Sequence, residues 1–194
     1  YEREQGDTLV SVTPYVRDNS MELLANWSLG YDPTVYTTAN RSFGVLAKWR
    51  QDFAPMRTRL IAGIDLDVSP GSREENRLAT LDTTGTGVAK VYRGYSVGAR
   101  VYDYDVTFVG ASPYVHGEFS PVERLRVSGG LRYDNLRYQF DNAFAANAVA
   151  ASTRENGGAA VTRYYGQAAD GTVSYQHLSP KLGASYALAK DADL

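Results

Sequence analysis

His116 and His177 are the only histidines in this chain of 194 residues, so they are the only side chains whose ordinary pKa suits proton transfer near neutrality. His116 lies two residues from both Tyr114 and Glu118, and in an extended chain that spacing puts all three on one side. A hydrolytic site would need a nucleophile and an acid converging on one imidazole, and neither histidine has that pattern around it. Asp65, Asp67, Glu74 and Glu75 raise the question of calcium but lack the regular ligand spacing of a calcium loop. "TGTG" (84–87) is not followed by Gly-Lys-Ser/Thr, so it is no phosphate loop. Cysteine is absent, which removes disulfides and thiolate metal sites. A net charge of -2 with dispersed Lys and Arg leaves no basic footprint for nucleic acid. No enzyme activity, cofactor or metal is expected.

The chemistry that remains is recognition. Arginines and tyrosines can hold an anionic, ring-bearing ligand through charge and ring contacts, and they gather in a few stretches. The candidates are Tyr92, Arg93, Tyr95, Arg100, Tyr102, Tyr104, Arg137, Tyr138, Arg163, Tyr164 and Tyr165. Fifteen tyrosines also suit a membrane interface, where one end of the ring is apolar and the other wet.

The elements that position them follow from period-two alternation, the mark of a strand with unlike faces. "LRVSGGLRYD" sets Leu125, Val127, Gly129, Leu131 and Tyr133 against Arg126, Ser128, Gly130, Arg132 and Asp134. The same reading predicts further strands over 8–17, 21–29, 43–50, 59–67, 111–119 and 178–186, and no charge falls on any of their apolar sets. Arg124, Arg126, Arg132 and Asp134 read as a hydrated wall whose charges pair with one another.

Connections predicted at 18–20, 51–58, 120–123 and 189–193 are short, and those at 30–42, 68–110 and 141–177 are long. In an up-and-down meander this alternation puts every long loop at one end, as in outer-membrane barrels. The long loops are expected to carry strand beyond the membrane, notably over 93–108, and Ala-rich 144–152 to form a short helix. Mean hydropathy is only -0.36, as expected when half of each spanning strand is polar. The fold class is therefore all-β, an antiparallel meander of transmembrane strands. Trp27, Trp49, Leu60, Ile64, Leu66, Leu125, Val127, Leu131 and Leu182 would face lipid. A soluble β-sandwich binding ligand or carbohydrate is the alternative, with the same residues packed as a core.

"LIAGIDLD" (60–67), "SPYVHGEFSPVERLRVSGGLRYDNLRY" (112–138) and "HLSPKLGASYAL" (177–188), in that order and spacing, resemble consecutive barrel strands of the TonB-dependent outer-membrane receptors. The resemblance implies a barrel of about 22 strands with a plugged lumen, of which 1–194 would be a middle portion lacking the plug. It implies a bacterial outer-membrane location and import of a ferric siderophore or a similar scarce nutrient. Energy would come from the TonB complex, contacted through an N-terminal plug region outside the chain.

Overall fold

The computed structural model describes the backbone of residues 1–24, 33–156, 159–189 and 192–193, without the side chains at 56, 152, 154–156, 159, 161, 189 and 192–193. Its strands are β1 (Glu2–Gln5), β2 (Thr8–Leu24), β3 (Thr34–Phe53), β4 (Thr58–Thr84), β5 (Val91–Val122), β6 (Leu125–Asn142), β7 (Val149–Asn156), β8 (Ala159–Gly166), β9 (Gly171–Ala189) and β10 (Ala192–Asp193). One antiparallel sheet runs β1-β2-β3-β4-β5-β6-β9-β10, and β7 and β8 form a separate hairpin between β6 and β9. No described helix is long and apolar enough to cross a membrane.

Register turns the separate alternations into one surface. Val10, Trp49, Ala62, Val115, Leu131 and Pro180 form a single cross-strand row, and Val12, Ala47, Ile64 and Pro113 form the next. Trp49, Leu60, Ile64, Leu66, Leu125, Val127, Leu131 and Leu182 all belong to this face; Trp27 lies outside the described residues. Phe43, Phe53, Phe119, Tyr133 and Tyr186 add rings toward its two edges.

The alternative of a sandwich fails here, because among the described residues the only second sheet is the two-stranded β7–β8 hairpin, and the apolar face of the large sheet is left exposed. Leu182 is 89% exposed, and the only buried hydrophobic residues among those described are Leu9, Val35, Leu78 and Val101.

Two expectations are corrected, besides the long connection at 30–42, of which 34–42 is instead the start of β3, with 35–42 paired to β2. Residues 18–20 make no turn: Asp18, Asn19 and Ser20 pair with Arg41, Asn40 and Ala39, so 8–17 and the start of 21–29 are one strand. Asp18 and Arg41 form an ion pair at 2.5 Å across that ladder, so a turn-favouring triplet is held extended by its partner strand. Continuity also reverses the parity of Met21 and Leu23, which fall on the face opposite Val10 and Val16. The tight turn lies instead at Gly6 and Asp7, where Gly6 has φ +59°, as the first position of a type II′ hairpin loop requires. The second correction concerns 144–152, where β7 begins at Val149 in place of a helix. A nine-residue helix nucleates poorly alone, and pairing with β8 supplies the backbone bonds.

The meander keeps its tight turns at one end, Gly6–Asp7, 54–57 and 123–124, and Ala189 pairs with Ala192 at that same end. They step along the sheet. Thr8, which closes the first turn, is level through the ladder with Leu182, whereas the last closes at Ala189, seven residues further. Over the five strand spacings from β2 to β9, at about 3.4 Å per residue and about 4.8 Å per strand, that offset is a tilt of about 45°, at the upper end of the range of barrel strands.

At the other end β4 and β5 continue as one hairpin, standing roughly 50 Å above Val68 at about 3.4 Å per residue. Two of the four buried hydrophobic side chains, Leu78 and Val101, lie in this extension, and a third, Val35 of β3, pairs beside it with Asn76. The β7–β8 hairpin is latched onto it by Gln167, which is 5% exposed and donates from Nε2 to the carbonyls of Val101 (2.8 Å) and Tyr165 (3.1 Å). Asn142 Nδ2 donates to the Ala168 carbonyl at 2.9 Å, and its backbone N–H to Asp170 at 2.8 Å. Gln167→Leu leaves buried carbonyls without donors, and the local cost is expected at about 1–3 kcal/mol. Amide exchange should accelerate over 143–170 and stay unchanged over 60–68; equal protection in both would show that the latch holds nothing.

Candidate functional site

The polar face divides into a charged wall beside the apolar band and an aromatic belt above it. In the wall, Arg132 reaches Asp65 at 2.7 Å and Asp134 at 2.8 Å, while Ser112 donates to Asp134 at 2.7 Å. Arg59 meets Asp52 at 2.6 Å and His116 meets Glu118 at 3.2 Å. Arg124 and Arg126 line a groove at the tight-turn end with Asp52, Glu118 and Glu123. The wall's charges thus largely pair across and along strands.

The wall also contains two close ring-on-glycine contacts. Tyr15 lies over Gly44 of the next strand and donates its hydroxyl to Asp67, which also accepts from Ser69. Tyr114 lies over Gly63 in the same way. A tyrosine directly opposite a glycine covers backbone that the glycine leaves bare.

The belt comes from polar-face positions of β3, β4, β5, β6 and β9 as they leave the apolar band. Arg73 stacks its guanidinium on Tyr36 at 4.4 Å and bonds Glu75 at 2.5 Å. Tyr104 and Phe140 have ring centroids 5.0 Å apart, Phe108 and Tyr138 also 5.0 Å, and Tyr138 meets Tyr175 edge-on at 6.2 Å. Arg73, Tyr104, Phe108 and Tyr138 line one shallow pocket with Asn40 and Ser69. Burial works against the Arg73 charge, but the hydrogen bond and attraction of Glu75 outweigh it and hold the guanidinium above its ordinary pKa. Arg73 is therefore a permanent cation with its carboxylate attached.

Of the candidates read from sequence, Tyr104 and Tyr138 stand in the belt. Tyr102 and Tyr165 form an adjoining edge-on pair at 5.7 Å. Tyr92, Arg93 and Tyr95 lie near the far tip of the β4–β5 hairpin, where Lys90 stands over Tyr92 at 5.4 Å. Arg100 is engaged by Asp103 (2.5 Å) and Glu74 (3.3 Å). Arg137 pairs with Val109 and falls on the face opposite Tyr138, and Arg163 and Tyr164 are exposed on β8. The acidic residues weighed as calcium ligands are engaged elsewhere: Asp65 by Arg132, Asp67 by Tyr15 and Ser69, Glu74 by Asn76, Glu75 by Arg73.

Tyr36, Arg73, Phe108, Phe140 and Tyr175 escaped the sequence reading. Their signal was parity carried through an uninterrupted strand: once 34–53 and 58–84 are single strands, Tyr36 and Arg73 share a face with Asp65 and Lys48.

The belt offers rings and apolar edges for stacking, with Asn40 and Ser69 beside them. No curated protein sequence matches the chain. The profile of the family described as TonB dependent receptor-like, beta-barrel matches residues 1–194, and with the tilted strands, the single exposed apolar face and the one-sided long loops, the chain belongs to that family of bacterial outer-membrane transport barrels.

Proposed function

We propose that the chain is a portion of the barrel wall of a TonB-dependent transporter for an iron chelate, a ferric siderophore, and that the aromatic belt touches the chelate on its way in. The apolar face meets outer-membrane lipid and the charged wall lines the lumen. The sheet is open, and unpaired strand edges are not tolerated in hydrocarbon, so further strands complete the barrel; TonB acts through a plug region outside the chain. The observation that carries the reading is the belt, in which Tyr104, Phe108, Tyr138 and Tyr175 converge at the long-loop end of the polar face.

The test is to titrate the intact receptor in detergent with ferric chelates and with cobalamin, following intrinsic fluorescence. A ferric chelate is expected to bind, and Tyr104→Ala or Tyr138→Ala to weaken it about three- to tenfold, the worth of one ring contact. Cobalamin binding with no ferric chelate bound would overturn the substrate assignment. Unchanged affinity in both variants would remove the belt from the ligand path.

A further inference from the structure

Arg137 faces away from the belt and takes part in none of the side-chain contacts described above. It stands in a cross-strand row with Val16, Phe43, Val68 and Val109 on one side and Ser174 on the other, and the four apolar members of that row are exposed. The strand tilt of about 45° lifts Arg137 roughly 7 Å above Val68, two strand spacings away. On its own strand the apolar series that begins at Leu125 ends at Tyr133, and Asn135 separates that ring from the arginine. Arg137 is therefore the first charge above the apolar band on β6, at the long-loop end, where an arginine on the lipid side costs far less than at the midplane.

Its surroundings leave the guanidinium uncompensated. The nearest positions on that face of β5, β6 and β9 carry hydroxyl, amide or apolar groups and no charge. Asp105 and Asp141 pair with each other four residues further along their strands, a distance of about 14 Å that exceeds a Debye length at physiological salt. The other cations above the band on this face are engaged: Arg41 by Asp18 at 2.5 Å, and Arg100 by Asp103 and Glu74. Among the described residues no acceptor engages Arg137. A free guanidinium directly above hydrocarbon is complementary to the phosphate of a lipid headgroup. Its planar fork matches two phosphate oxygens, the hydroxyls of Thr107 and Ser174 stand on the two neighbouring strands, and Val68, Val109 and Leu131 lie below for the acyl chains. A soluble anion would gain the charge but nothing from the apolar band. We propose that Arg137 binds the phosphate of an anionic lipid of the outer leaflet, whose chains lie on the apolar face beneath it, whichever nutrient the receptor carries.

The experiment compares two probes on the intact receptor in uncharged detergent, lipid A carrying its phosphates and the same lipid with the phosphates removed, with bound lipid followed by native mass spectrometry. Arg137→Gln is expected to weaken binding of the phosphorylated lipid about three- to tenfold, the worth of one basic residue at an anionic surface, and to leave the dephosphorylated lipid unchanged. Arg137→Lys keeps the charge without the fork and should retain part of the affinity. Lys90→Gln, which removes a cation at the far tip of the β4–β5 hairpin, should change neither. Arg137 is exposed, so these variants are expected to fold with unchanged unfolding midpoints. Unchanged binding in Arg137→Gln, or an equal loss of both lipids, overturns the assignment. If chelating divalent cations removes the difference between the unmodified receptor and Arg137→Gln, the phosphate is held by Asp105 and Asp141 through a metal and the assignment falls. If inorganic phosphate competes as well as the lipid does, the site takes a free anion and the lipid occupant is overturned.

Discussion

Ile64→Arg destabilises the receptor in bilayers by about 2–4 kcal/mol, the cost of a guanidinium near the midplane of a lipid-facing barrel wall. Ile64 lies midway along the apolar set of β4 from Leu60 to Val68, between Ala47 and Pro113, so an arginine there has little chance of reaching either interface. Leu46→Arg is the control. Leu46 is one strand away and 45% exposed, and it pairs with Thr13 and Asp65 on the polar face. Its replacement should stay within about 1 kcal/mol, as surface changes usually do. Denaturant titration of the receptor refolded into short-chain lipid bilayers measures both. Equal losses would mean that the two faces meet the same solvent, and the assignment of one of them to lipid would fail.

Gly63→Ala is expected to cost about 1–3 kcal/mol by overpacking, and removing the ring above it does not restore the loss. A Cβ at Gly63 would stand 2.5 Å from Tyr114 Cζ and equally 2.5 Å from the backbone oxygen of Ala47. The ring can be deleted, but the backbone oxygen belongs to the ladder and cannot move away. At Gly44 the three nearest atoms all belong to the Tyr15 ring, so Gly44→Ala should be rescued in large part by Tyr15→Ala. The double-mutant cycles therefore differ: strong coupling for 15 with 44, weak coupling for 114 with 63. Full rescue in both pairs would show that neither glycine is held by backbone proximity.

The two cycles also test how the barrel wall is built. A lumen wall of alternating large and small side chains closes its surface with rings laid over glycines, and the charged pairs fill the space between them. Arg132 with Asp65 and Asp134 is such a filling. Its replacement by apolar groups would leave a hydrated wall without partners, whereas on the other face the same groups would be at home.

From residue 43 on, most strand positions, their face chemistry and the end at which the long connections gather were legible in the sequence, because each depends on period two or on counting residues between strands; the faces of Met21 and Leu23 were not, because the parity was reset at a misread turn. Leu125, Val127, Leu131 and Leu182 needed no neighbour to reveal their side. The family resemblance was legible for the same reason, in short runs such as "GLRYD" whose order survives without a structure. The turn at 18–20 and the helix at 144–152 were misread because both rested on local preference. Asp18, Asn19 and Ser20 favour turns and Ala favours helix, but these preferences amount to tenths of a kcal/mol per residue and yield to a partner strand that satisfies every backbone group.

Alternation by itself determined that this protein is built of strands with unlike faces, because apolar and polar surroundings sort side chains one residue at a time; connection lengths and the family resemblance pointed that sheet to a membrane barrel. Only the tertiary structure decided which rings and charges meet. Tyr36 and Arg73, 37 positions apart in the sequence, became a stacked pair, and Arg73 was neutralised by Glu75, because register across a ladder is a property of paired strands and no single strand carries it.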